Sequence, residues 1–122
     1  ILENNKNLNK IVKIVHVEVR KKMNIFLNKN KGKKIVILDI PLLLENKIDR
    51  RKDILIFVQS KREQILKKLK KRKNFNNKIF DNFKKIQLPL DYKKKKAHFI
   101  IKNNFTKKSV KDSVKKILRE IL

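Results

Sequence analysis

Hydrophobic residues in the first thirty positions recur at steps of three and four, the spacing of one face of an α-helix. The members of this series are Leu8, Val12, Val15, Val19, Met23 and Phe26. The pattern predicts an amphipathic helix over about residues 8–28. The polar segment "NKNKGKK" follows and contains the only glycine of the chain, Gly32, so we expect a loop there with Gly32 as its turn residue.

Three short apolar runs predict strands: "IVILD" at 35–39, "DILIFVQ" at 53–59 and "AHFII" at 97–101. Continuous apolar runs of this length are typical of strands that are covered on both faces. Between and after them the helical spacing returns. Ser60 and Glu63 have the spacing of a capping box, which predicts a helix from there to about Arg72.

Two further helices are predicted nearer the C-terminus. One contains Phe75, Ile79, Phe80, Phe83 and Ile86 and is ended by Pro89, and the other contains Val110, Val114, Ile117, Leu118 and Ile121, with Thr106 near its start. Alternating strands and helices imply an α/β fold with a parallel sheet and helical crossovers.

In such a sheet the ligand lies beyond the carboxyl ends of the strands. Asp39, Gln59 and Asn103 stand at or just past those ends, which predicts a polar site at this edge. An apolar strand that ends in aspartate is the Walker-B pattern, in which the carboxylate lies near the magnesium ion and phosphates of a nucleotide. Many buried strands end in aspartate, however, so this pattern alone is weak.

Composition narrows the function classes. The net charge of +25 favours a polyanionic partner, but the 30 lysines, the many Asn and Ile residues and the single Ala97 also follow from A/T-rich codons. A basic nucleic-acid-binding module therefore stays as the less favoured alternative. The absence of cysteine excludes disulfides and thiolate metal sites and suits the cytoplasm. No apolar run approaches the ~20 residues of a membrane span.

Four segments, in order along the chain, carry a family resemblance. "IVKIVHVEVRKKM" resembles "LExIxHPxVRxxM", and "VILDIPLLLENK" resembles the "DIPLLFE" signature of the dephospho-CoA kinase family. "KKLKKR" resembles the "RLxxR" of that family's lid, and "IQLPLDYKKKKAHFIIKN" resembles "xQxPLxxKxxxADxxIxN". The resemblance covers almost the whole chain.

The resemblance implies a P-loop kinase fold, with a five-stranded parallel sheet, a helical acceptor-binding region and a mobile lid. It implies transfer of the γ-phosphoryl group of ATP, with Mg²⁺, to the ribose 3′-hydroxyl of dephospho-CoA, which completes coenzyme A. On this basis residues 1–122 form a single partial domain. Its segments are an acceptor-side helix at 8–30, core strands at 34–58, lid helices at 60–96, and the last strand and C-terminal helix at 97–122.

The family motifs also imply site residues. Asp39 would lie near the magnesium ion and the reacting phosphates, and Arg72, helped by Lys68, would reach from the lid onto the phosphates of ATP. Asn103 and the loop after it would lie near the adenine. The acceptor side would be shaped by His16, Leu42, Leu43 and Glu45.

The chain departs from the family motifs at several positions. They are Val12 for glutamate, Val17 for proline, Ile65 for glutamine, Lys68 for arginine, His98 for aspartate and Phe105 for glycine. Lys68 keeps the charge but loses the bidentate fork of an arginine. Phe105 affects the loop expected near the adenine.

No G-x-x-x-x-G-K-[ST] loop occurs in the 122 residues. We therefore expect the chain to correspond to about the C-terminal two-thirds of the enzyme and to be inactive alone. The family's first strand would lie between 34–39 and 53–58, so its loss predicts unpaired strand edges and marginal stability or association. A non-functional remnant is a third reading that these same features allow.

Simpler interpretations exist for several of these residues. His16 on a helix is more often packed or solvated than a ligand, and His16 and His98 form no usual metal-ligand pair. Lys93–Lys96 is most simply a solvated helix face. Phe75, Phe80 and Phe83 are expected to pack in the lid or core rather than to stack on bases.

Overall fold

The computed structural model describes residues 5–122, apart from the side chains of residues 5–10, 12, 79 and 83. The predicted helix-face residues Leu8, Val12, Ile79 and Phe83 thus have side chains outside the described part of the chain. The chain divides into two compact units, Ile1–Asp49 and Arg50–Leu122, which we call the N-terminal and C-terminal units. None of the described helices is both long and apolar enough to cross a lipid bilayer.

The N-terminal unit is built on one long helix. Helix α1 spans Asn5–Lys29 and agrees with the helix predicted at 8–28. Asn30 closes its last turn, and its side-chain Nδ2 satisfies the carbonyl of Phe26 (2.8 Å), which also accepts from the Asn30 backbone N–H (3.2 Å). A turn follows at 30–32, but Gly32 lacks a positive φ and a Cβ there would meet no atom within 4 Å. The turn therefore does not require glycine at this position.

Residues 35–40 have no regular secondary structure, so the strand predicted at 35–39 is absent. A strand needs a neighbour for its backbone N–H and C=O groups, and the sheet of the described residues contains two other strands that pair with each other. The chain then coils through consecutive turns at 41–47. Leu42 (φ 56°) and Lys47 (φ 50°) adopt left-handed conformations there, and Ile48 beyond them is buried.

The C-terminal unit contains a parallel pair of strands, as the α/β prediction requires. Strand β1 (Ile56–Gln59) pairs with β2 (Phe99–Lys102), with Ile56 opposite Phe99 and Gln59 opposite Lys102. Three helices form the crossover: α2 (Arg62–Lys70), α3 (Asn77–Ile86) and α4 (Leu90–Lys96). Helix α5 (Lys107–Ile121) packs on β2. Among the side chains that the structure describes in this unit, those of Ile101 and Ile117 are buried.

The helix ends differ in how well they were predicted. The capping box at Ser60 and Glu63 does not form, because α2 begins at Arg62 after Lys61, which makes no side-chain cap. The ladder reaches Gln59, so residues 60 and 61 are used to turn from strand to helix. Thr106 does cap α5, since its Oγ1 accepts from the Ser109 backbone N–H at 3.4 Å. Helix α3 ends at Ile86, ahead of Pro89, as predicted.

His98 extends the strand pairing by one step before β1. Its Nδ1 accepts a hydrogen bond from the backbone N–H of Leu55 at 2.9 Å. The carbonyl of Leu55 in turn accepts from the backbone N–H groups of His98 (2.8 Å) and Phe99 (3.2 Å). The imidazole thus provides an acceptor where the family motif has aspartate, another acceptor.

Replacing His98 by alanine is expected to lower the free energy of unfolding of the C-terminal unit by up to about 1 kcal/mol, because the Leu55 N–H loses its partner. His98→Asn is the matched control, since its Oδ1 can accept at nearly the same place. Urea unfolding followed by circular dichroism measures both variants. Equal destabilisation by alanine and asparagine would show that the hydrogen bond contributes nothing.

Candidate functional site

Two of the predicted site segments meet in the N-terminal unit. The Nη2 atom of Arg20, on α1, donates to the backbone carbonyl of Asn46 at 2.9 Å and so links the helix to the turns at 41–47. His16 is half-buried one helical turn before Arg20, on the same side of α1. The histidine segment and the "DIPLLLEN" segment are therefore neighbours.

The turns at 41–47 hold the residues expected on the acceptor side. The backbone N–H of Asn46 donates to the carbonyl of Leu42 at 3.1 Å, and that of Ile48 donates to the carbonyl of Leu43 at 3.1 Å. Leu42, Leu43 and Glu45 are half-buried. The segment thus presents apolar side chains and one carboxylate on a compact coil of backbone.

Asp39 is exposed in the extended segment before these turns. No group of three or more His, Cys, Asp or Glu side chains that could hold a metal ion occurs in the described part of the chain. Asp39 thus belongs to no such group there.

Removing the Arg20 hydrogen bond is expected to loosen the turns at 41–47. In Arg20→Ala, amide hydrogen exchange at Asn46 and Ile48 should accelerate by about fivefold, because about 1 kcal/mol of local stability is lost. Lys21→Ala removes the same charge from an exposed neighbouring position and should leave these amides unchanged. Similar exchange in the two variants would contradict a structural link through Arg20.

In the C-terminal unit the structure brings Lys68 together with the loop after Asn103. The Nζ atom of Lys68, on α2, lies over the ring of Phe105 at 5.4 Å from its centroid. This is a cation–π contact. It joins a predicted phosphate-binding residue to the loop that is expected near the adenine.

Asn103 supports this loop rather than projecting freely from it. Its backbone N–H donates to the carbonyl of Gln59 at 2.7 Å, so it continues the ladder from β2. Its Oδ1 accepts from the backbone N–H of Phe105 at 2.7 Å. Phe105 itself adopts a left-handed conformation (φ 63°), which explains why glycine suits this position in the family motif.

Asn104 ties the same loop to the first turn of α5, a role that the sequence patterns above did not predict. Its Oδ1 accepts from the backbone N–H (3.0 Å) and Oγ1 (2.7 Å) of Thr106 and from Oγ of Ser109 (2.5 Å). An asparagine two residues before a predicted N-cap was the available signal, because Asn side chains often bond to backbone two residues on.

An open groove of about 540 Å³ lies between this loop and α5. Its lining consists of Asn103, Phe105, Thr106, Lys107, Val110, Lys111, Val114 and Lys115. The lysines and the valines each recur at four-residue steps, so each set forms a row along α5. The groove combines an aromatic ring, an apolar surface and ammonium groups, which suits a ligand with an aromatic ring and negative charge.

Arg72 lies in the turn after α2, where its side chain is exposed. Its backbone N–H donates to the carbonyl of Leu69 at 2.9 Å, and its carbonyl accepts from the Phe75 N–H at 3.1 Å. Phe75 and Phe80 pack against each other with ring centroids 6.2 Å apart, as expected for lid or core packing.

A family model described as dephospho-CoA kinase matches residues 1–109 of the chain. The chain belongs to the dephospho-CoA kinase family. The dephospho-CoA kinase of Bartonella quintana is 30% identical over 124 residues, covering 100% of this chain and 64% of the relative. That of Fusobacterium nucleatum is 32% identical over 121 residues (98% and 60%), and that of Bacillus anthracis 35% over 112 residues (88% and 55%). The chain thus spans about three-fifths of the length of these relatives.

Two of the departures from the family motifs are in contact with each other. Lys68 and Phe105 are two of the positions at which the chain departs from the motifs of dephospho-CoA kinases, and in the structure these two side chains touch. The departures at 68 and 105 therefore belong to one local arrangement.

Proposed function

We propose that the chain takes part in the ATP-dependent phosphorylation of the ribose 3′-hydroxyl of dephospho-CoA, the last step of coenzyme A synthesis, in the cytoplasm. Membership of the dephospho-CoA kinase family supports a kinase of coenzyme A synthesis. The proposal that the chain binds a nucleotide rests on the contact of Lys68 with Phe105 beside the groove on α5. This contact puts an exposed cation next to an aromatic and apolar surface.

At the nucleotide end, the adenine of ATP would lie in the groove next to Asn103 and Phe105. Lys68 and Arg72, both exposed and on or just after α2, would bind the phosphates. Their positive charge would stabilise the charge that spreads over the transferred phosphoryl group in the transition state.

At the acceptor end, Leu42, Leu43, Glu45 and His16 would bind dephospho-CoA, and Asp39 would stand near the magnesium ion. The carboxylate of Asp39 is compatible with a place near a magnesium ion. Magnesium bound to a nucleotide takes most of its ligands from phosphates and water, with one or two carboxylates from the protein, and Asp39 offers one exposed carboxylate. When bound, the ion would neutralise charge on the phosphates.

Binding to the isotope-labelled chain, followed by NMR, tests this proposal. We expect dephospho-CoA to shift the amides of residues 42–46 and ATP those of residues 103–105. ADP-ribose is the matched control for dephospho-CoA, because it has the same adenosine diphosphate without the pantetheine arm and should bind more weakly.

The nucleic-acid alternative predicts a different result. With a net charge of +25, a nucleic-acid-binding module would bind an oligonucleotide with an affinity that falls steeply with salt, and it would not distinguish dephospho-CoA from ADP-ribose. A chain that binds none of these ligands would instead fit a non-functional remnant.

A further inference from the structure

Phe105 is an unusual residue for its place. It stands in the left-handed region (φ 63°), where most side chains are unfavourable. The residue is nevertheless 43% exposed, so the strained backbone is not offset by burial in a core. The ring lines the groove, which makes it the aromatic surface that a ligand there would meet.

The ammonium group of Lys68 lies over that ring. Lys68 is exposed, and its ammonium group makes no hydrogen bond or ion pair with the described residues. An exposed cation–π contact contributes only about 0.5–1 kcal/mol, and a phosphate group would attract the same ammonium more strongly. The contact is therefore one that an anionic ligand can replace.

We propose that Phe105 is a nucleotide-positioning residue, on whose ring the purine base stacks, and that Lys68 exchanges the ring for the phosphates of the same nucleotide. Binding thus replaces one cation–π contact by a base stack and an ion pair. The inference rests on the proposed function in that it takes a purine nucleoside polyphosphate as the ligand. It adds a stacking residue at a position where the family motif has glycine, which offers no ring.

Two substitutions at position 105 and three probes test the stack. Phe105→Leu keeps an apolar side chain and the same unfavourable left-handed backbone conformation but removes the ring, whereas Phe105→Tyr keeps the ring. The probes are ATP, adenosine and inorganic tripolyphosphate, measured by isothermal titration calorimetry at an ionic strength of about 0.15 M to limit unspecific attraction to this basic chain.

We expect Phe105→Leu to weaken ATP and adenosine binding by roughly five- to a hundredfold, the range of base–aromatic stacking. Tripolyphosphate binding should stay the same, and Phe105→Tyr should bind all three probes like the parent chain. Lys68→Gln should give the complementary result, with weaker binding of ATP and tripolyphosphate and unchanged or tighter binding of adenosine. Thermal unfolding of each variant checks that the loop and helix remain folded.

The outcome that overturns the inference is an unchanged ratio of ATP to tripolyphosphate affinity in Phe105→Leu. If the parent chain still prefers dephospho-CoA to ADP-ribose in that case, the proposed function stands without the stack. A parent chain that binds ATP no better than tripolyphosphate has no base site and also overturns the inference. The proposed function is tested separately, by comparing the binding of dephospho-CoA with that of ADP-ribose. Loss of tripolyphosphate binding in a folded Phe105→Leu chain would likewise contradict the inference, because the ring would then shape the phosphate site rather than stack on the base alone.

Discussion

No coenzyme A is expected to form when these 122 residues alone are mixed with ATP, Mg²⁺ and dephospho-CoA. The residues contain no G-x-x-x-x-G-K-[ST] loop, and Gly32 is their only glycine. That loop supplies the backbone N–H groups and the lysine that hold the β- and γ-phosphates in P-loop enzymes. Lys68 and Arg72 can attract phosphates but cannot fix the reacting group in line with its acceptor. A single arginine that stabilises this transition state is worth about 10³–10⁵ in rate, so loss of the whole cradle should reduce the rate at least as much.

Chromatography with mass detection measures the coenzyme A formed, with the full-length Fusobacterium nucleatum relative as the positive control. Coenzyme A formation by the chain alone, abolished by Asp39→Asn, would contradict the prediction and reveal another phosphate-binding device in these residues. Fusion of the chain to the loop-bearing part of a relative should restore turnover. In that fusion, Arg72→Ala should lower kcat by at least about a hundredfold and Arg72→Lys by less, because lysine keeps the charge without the bidentate geometry.

Replacing Ile101 by alanine is expected to abolish cooperative unfolding of the C-terminal unit. Ile101 is 7% exposed on β2, and α5, which packs on that strand, carries Ile117, also buried. Large-to-small substitutions at buried isoleucines lower the free energy of unfolding by about 2–5 kcal/mol. A loss of that size removes much of the stability of a unit this small, since even ordinary domains have only about 5–15 kcal/mol.

Ile100→Ala is the matched control for this prediction. Ile100 is the adjacent residue, 40% exposed, and its side chain points to the other face of the sheet. Both substitutions remove the same atoms from the same strand, so only burial differs. Urea unfolding followed by circular dichroism should show a normal transition for Ile100→Ala and a broad or absent one for Ile101→Ala. Equal effects would mean that the contact of β2 with α5 does not hold the unit together.

Hydrophobic periodicity predicted the helices, because the backbone hydrogen bonds of a helix are made within the element itself. Helices α1 and α5 follow from the hydrophobic spacing alone, and the Thr106 cap follows from local hydrogen bonding. The run at 35–39 has the composition of a strand, but composition supplies no neighbour to complete the backbone hydrogen bonds. Ser60 failed as a cap because the strand pairing that ends at Gln59 takes precedence over a local capping preference.

The sequence motifs indicated single candidate residues of the site but not which of them are in contact. The motifs pointed to Lys68 and Asn103 separately, and they marked Phe105 only as a departure from glycine. The contact between Lys68 and Phe105 depends on how the α2–α4 crossover returns the chain to β2, which no local pattern specifies. Likewise, the bond from Arg20 to a backbone carbonyl at Asn46 leaves no trace in residue types, because every residue has a carbonyl.

The pairing of β1 with β2 has a consequence for synthesis on the ribosome. Leu55 and His98, which begin the pairing, are 43 residues apart. At a translation rate of about 5–20 residues per second, β1 waits roughly 2–9 s for its partner strand to be made. During that interval its open backbone, flanked by Ile54, Ile56 and Val58, is a template for another nascent chain. By then the chain also carries the nine lysines between residues 61 and 85, and we expect the repulsion between such basic chains to keep neighbouring copies apart until β2 is made.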